Sequence, residues 1–137
     1  MKNAGEVITL FNARRDEETG GHVYVPTVIA GCSWFGGLRS GLDAKGGLAA
    51  ADEYAVRIPV DADFGGKAYT DPVAWRREGG EGQFTIQGGD IAVKDAVEGD
   101  DWTPSALKAA YADCFTVMGV TDNRNAPHGA HWRIVGA

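Results

Sequence analysis

Residues 52–60 read DEYAVRIPV, and this stretch decides the fold class. Tyr54, Val56, Ile58 and Val60 point one way along an extended chain, while Ala55, Arg57 and Pro59 point the other. Side chains alternate across a strand with a period of two, so this is the pattern of a half-buried β-strand. Similar runs lie to either side. Residues 7–12 (VITLFN) are a short β-type run, residues 14–21 (RRDEETGG) a charged turn, and residues 22–34 (HVYVPTVIAGCSW) a second β-branched run. Together they predict an N-terminal hairpin. Pro26 has no N–H to donate, so the second strand should be bent, bulged or at an edge there.

Toward the C-terminus, residues 83–94 (QFTIQGGDIAVK) predict another hairpin. Phe84 and Ile86 alternate, Gly88-Gly89 has the chemistry of a tight turn, and Ile91 and Val93 alternate back. Residues 114–120 (CFTVMGV) and 130–135 (AHWRIV) read as the last two strands, separated by turn-forming residues 121–129. Two helices are marked by a capping residue followed by proline. Asp71-Pro72 starts one of about one or two turns, residues 72–77. Thr103-Pro104 starts one of about three turns, residues 104–113, with Leu107, Ala110 and Tyr111 on one face. Between these elements lie two long glycine-containing stretches without periodicity, residues 35–51 and 61–82, which read as mobile loops.

The expected fold is mainly β: a small antiparallel barrel or sandwich of about seven strands with a short helix in the C-terminal half. Strands do not alternate with helices, which excludes a parallel βαβ sheet. The 137 residues are one domain's worth and can bury a core without disulfides or metal. That core is expected to comprise Val56, Ile58, Phe84, Ile86, Ile91, Val93, Leu107, Phe115, Val117, Trp132 and Ile134. Cys32 and Cys114 each lie in an apolar run and read as buried free thiols.

With 13 basic residues against 19 acidic ones, the net charge is −6. This argues against a nucleic-acid or anionic-membrane binder, although a local basic patch remains compatible with it. No apolar run is long enough to span a bilayer or to serve as a signal peptide, so the chain is expected to fold in a cytoplasm.

Little in the sequence assembles into chemistry. His128 and His131 form an H-x-x-H pair beside Asp122 and Asn125, but no third metal ligand is marked. His22 reads as a turn residue. Asp61 and Asp63 alternate before Gly65 without the remaining ligands of a calcium loop. Glu78, Glu81, Glu98, Asp100 and Asp101 read as solvated loop charge. Ser33, Ser40 and Ser105 stand in no nucleophile elbow, and no glycine-rich phosphate loop is present. No enzyme activity, metal or cofactor is therefore expected. The aromatic residues in or beside loops, Trp34, Phe64, Tyr69, Trp75 and Trp102, are either local staples or anchors for a partner.

Seven landmarks run through nearly the whole chain: ITLFN (8–12), TVIAGCSW (27–34), ADEYAVRIPVDADFGGKAY (51–69), DPVAW (71–75), FTIQGGDIAVK (84–94), AYADCFTVMGVTDN (110–123) and APHGAHWRIVGA (126–137). As a string they resemble a family of small proteins encoded in the structural-gene clusters of tailed phages and prophages of Gram-positive bacteria. Asp95 departs from the glycine that often follows the GDIxVK run in that family. The resemblance implies a minor virion component, such as a head-completion, head–tail connector or minor capsid protein. It places the chain in the virion, and in the host cytoplasm during assembly. Other head or tail proteins would be its partners, and a homo-oligomeric ring is compatible with that role. No functional residue carries over. On this reading the two loops are the assembly surfaces, with Phe64, Tyr69 and Trp75 as interface residues. The alternative is a small β-barrel enzyme or ligand-binding module, metal-dependent through His128 and His131.

Overall fold

The computed structural model describes residues 5–16, 18–36, 53–79, 81–99 and 101–137. Apart from Phe35 and Gly36, the expected loop at 35–51 lies outside the described residues. Eight strands and two helices follow in the order β1 (Glu6–Arg15), β2 (His22–Gly36), β3 (Tyr54–Pro59), β4 (Ala68–Tyr69), α1 (Pro72–Glu78), β5 (Gln83–Phe84), β6 (Ile91–Val93), α2 (Pro104–Ala110), β7 (Cys114–Asn123) and β8 (His131–Gly136). Six of the strands close a barrel in the order β1-β2-β3-β8-β7-β6, all neighbours antiparallel, and β4 and β5 form a separate parallel pair.

The register explains which strands alternate and which read as unbroken apolar runs. In β3 and β8 one face is buried: Val56 pairs with Ile134 and Ile58 with Trp132 inside, while Ala55 pairs with Val135 and Arg57 with Arg133 outside. In β1 and β6 both faces are covered. Leu10 and Ala92 pair toward the barrel interior, whereas Phe11 pairs with Ile91 and Thr9 with Val93 on the outer side. That outer side packs with Val97, Leu107 and Cys114 beneath α2. All three residues of β6 are therefore buried. All eleven expected core residues are buried, and so are both free cysteines.

Both cap-and-proline starts are present. Asp71 accepts from the Ala74 N–H at 2.9 Å and Thr103 from the Ala106 N–H at 3.1 Å. α2 ends sooner than its composition predicts. Tyr111 already has extended backbone (φ −124°), which turns the chain into β7 and leaves Ala110 exposed.

Three expectations need correction. Residues 83–94 are not a hairpin: β5 pairs with β4, and β6 pairs with β1 and β7. The Gly88-Gly89 turn, with Gly89 at φ 91°, passes the chain from one layer to the other. Val60 is exposed, while its neighbour Pro59 is buried. Residues 61–79, 81 and 82 form an ordered plug, carrying β4 and α1. Phe64 stacks on Phe84 (4.8 Å between centroids) and Tyr69 lies against Trp132 (4.9 Å), closing the end of the barrel where β8 begins. Lys67 pins the plug to β2 by donating to the Pro26 carbonyl at 2.8 Å and the Thr27 hydroxyl at 3.0 Å. The opposite end is filled by Trp34, Tyr54 and Phe115.

Candidate functional site

Where β1 and β2 run out beyond the barrel wall, α1 packs beside them, and the junction leaves a cleft of about 710 Å³. Its walls are Ala13–Arg15 of β1, His22 and Tyr24 of β2, the Trp75–Gly79 end of α1 and the Gln87–Asp90 turn. The floor is built from Trp75, which is only 1% exposed. Its Nε1–H donates to the Ala13 carbonyl at 2.9 Å, and the Arg14 guanidinium lies 5.8 Å above the ring. Gly79 lets the helix end close over this ring, because a Cβ there would stand 2.6 Å from Trp75 Cε3.

A buried polar network supports the floor. Asn12 and Asp90 are both fully buried. The Asn12 amide donates to the Thr85 carbonyl (2.8 Å) and to Asp90 Oδ2 (2.8 Å), and its oxygen accepts from the Thr85 N–H (3.0 Å). Asp90 Oδ1 accepts from the Ala13 N–H (2.9 Å) and from Gln87 Nε2 (3.1 Å). Burial pushes the Asp90 carboxyl up to about 6, against the three N–H donors that favour its anion. Thus Asn12 stitches β1 to the segment after β5, and Asp90 ties β1 to the start of β6.

The charge of the cleft comes from Arg14, Arg15, Arg76 and Arg77, the two Arg-Arg pairs of the sequence, which the fold brings together from β1 and α1. All four are exposed. Glu78 and Asp90 are the acids in the lining.

The residues singled out from the sequence distribute differently. Trp75 is a core residue whose ring is consumed by α1 and β1, so it offers no surface to a partner in this fold. Phe64 and Tyr69 are half-buried in the plug, facing the barrel core. His22 lines the cleft. His128 is exposed, and His131 has both ring nitrogens engaged, Nδ1 with the Gly129 carbonyl (2.6 Å) and Nε2 with the Asn123 amide (3.2 Å). Among the described residues no three metal-ligating side chains gather. Asp61 and Asp63 border a separate depression of about 640 Å³ with Pro59 and Ala130. Asp122 chelates Arg124, whose guanidinium covers the Tyr69 and Trp132 rings at 4.9 and 5.2 Å, and these bonds hold the Asp122 carboxyl below its ordinary value. The sequence marks neither Asn12 nor Asp90, and it gives the four arginines only as a charged turn at 14–21 and the end of a helix at 72–77. The paired arginines were the one available signal.

Comparison with known proteins identifies the chain at family level. It belongs to DUF6751, a family of unknown function whose model matches residues 4–137. No curated protein and no solved structure matches it.

Proposed function

We propose that this chain is a non-catalytic assembly component of a tailed-phage or prophage particle, of the head-completion, head–tail joining or minor capsid kind. The observation that carries the reading is the outer wall of the barrel. The barrel is closed, so over the paired lengths of its strands a partner meets side chains and not backbone. Large apolar side chains stand on that wall and at its rim: Met118 is 72% exposed and Phe35 45%, with Val28 and Val120 also open. Methionine and phenylalanine are enriched where proteins meet. The landmark string described above supports the same reading over nearly the full chain. Contact with other head or tail proteins, with neighbouring copies in a ring, or with both would cover these residues. With Trp75 consumed in the core, the interface moves from the plug to the wall.

Deleting the coding sequence from an inducible prophage that carries it tests the proposal. Induction should yield incomplete or unjoined particles, and the protein should be found by mass spectrometry in purified wild-type virions. Complementation with Met118→Glu should supply a folded protein that is poorly incorporated. Normal particle yield and infectivity after deletion, with the protein absent from virions, would overturn the proposal.

A further inference from the structure

The arginine cleft has a property that the assembly reading does not use. Among the described residues only Asp122 and Arg124 form an ion pair, and Arg14, Arg15, Arg76 and Arg77 have no carboxylate within 4.0 Å. Single members have local explanations. Arg76 and Arg77 sit in the last turn of α1, where a cation offsets the partial negative charge of the helix end, and Arg14 covers the Trp75 ring. Neither explanation accounts for four arginines lining one cleft, two of them on a strand. The buried acid of the lining does not neutralise them, since its oxygens are turned to Ala13, Asn12 and Gln87.

We propose that the cleft binds a compact polyanion, a small molecule carrying at least two phosphate or carboxylate groups. A guanidinium fork pairs with either oxyanion through two parallel hydrogen bonds. The volume of about 710 Å³ falls within the range of small-molecule sites, roughly 300–1,000 Å³. Tyr24 and Gln87 line the cleft beside these arginines, with the Gln87 N–H already donated to Asp90. A compact ligand fits better than a nucleic-acid strand. The β1–β2 extension, α1 and the 87–90 turn bound the cleft, and the acidic excess of the remaining surface repels an extended phosphate backbone.

Isothermal titration of the full chain with tripolyphosphate, citrate and inorganic phosphate tests this. Tripolyphosphate or citrate should bind saturably at one site per chain, more tightly than inorganic phosphate and more weakly at high salt. The stronger of the two tells phosphate from carboxylate chemistry. The double variant Arg15→Gln/Arg77→Gln should lose about tenfold or more in affinity, the scale of one charged hydrogen bond. Arg133→Gln makes a single charge change on β8, the strand opposite β1 in the barrel order, and should leave affinity unchanged. In the wild-type protein the NMR signal of the Trp75 indole N–H and the backbone signals of 13–15 and 76–79 should shift with ligand. No saturable binding, equal weakening by Arg133→Gln, or shifts spread evenly over the surface would each overturn the proposal.

Discussion

Trp75 and Asp90 are where single side chains join distant parts of the chain. Trp75 is almost fully buried, and its indole N–H reaches the Ala13 carbonyl. Trp75→Ala should therefore cost about 3–5 kcal/mol of stability in urea unfolding, the usual range for removing a buried large aromatic ring. Full retention of stability would mean that the ring is not a structural anchor. The sequence around it, with glycines at 65, 66, 79 and 82 and no periodicity, reads as mobile because the partner that orders it lies in β1, far away along the chain. Asp90 makes a different prediction. Its carboxyl rises from an ordinary 3.8 to about 6 through burial. Between those values the native state holds a proton that the unfolded chain releases. This contribution to stability is therefore complete below about pH 4 and is lost as pH rises through about 6, an effect on the order of 3 kcal/mol. Other carboxylates add their own slopes, so the readout is the stability of the wild type minus that of Asp90→Asn. That difference should fall between pH 4 and pH 7. A flat difference would show that the three N–H donors hold the carboxylate ionised in spite of its burial.

Among the elements, those marked by local chemistry were legible. The β3 alternation, the N-terminal hairpin and both proline-capped helix starts depend on neighbours in sequence, and all are present. The 83–94 segment was not legible, because Gly88-Gly89 carries hairpin turn chemistry whichever strands lie beside it. Closing the barrel places β6 between β1 and β7, and that requirement outweighs local pairing with β5. The candidate cleft escaped for the same reason: its arginine pairs meet only through α1 docking on β1. Closure also sets a demand at the end of β8. A Cβ at Gly136 would stand 2.6 Å from Phe115 Cδ2 and would also collide with the Thr116 carbonyl. Gly136→Ala should lower stability by about 1–3 kcal/mol, as overpacking does. Gly88→Ala, whose Cβ would meet nothing closer than the Val117 carbonyl at 3.9 Å, should cost much less. Equal effects of the two variants would show that β7 and β8 can separate to admit a methyl group.

For the whole molecule the question is whether its two apolar layers unfold together. Cys32 belongs to the cluster inside the barrel and Cys114 to the cluster under α2. Both layers hang on the same strands. Ala92 and Phe115 face inward, while Ile91, Val93 and Cys114 face outward. Detaching α2 alone would expose Leu107 together with Phe11, Ile91, Val93 and Val97, a loss of burial comparable to removing several core side chains. Burial also pushes the Cys32 thiol up to about 12 and raises that of Cys114, so neither supplies much reactive thiolate in the native state. Both cysteines should therefore resist a thiol reagent in the native state, and labelling of both should accelerate with urea along the same slope as global unfolding measured by circular dichroism. Labelling of Cys114 with a much shallower urea dependence would show that the α2 layer opens by itself. Matching slopes would show that the outer layer is part of one cooperative unit, held by strands that cannot release one cluster without the other.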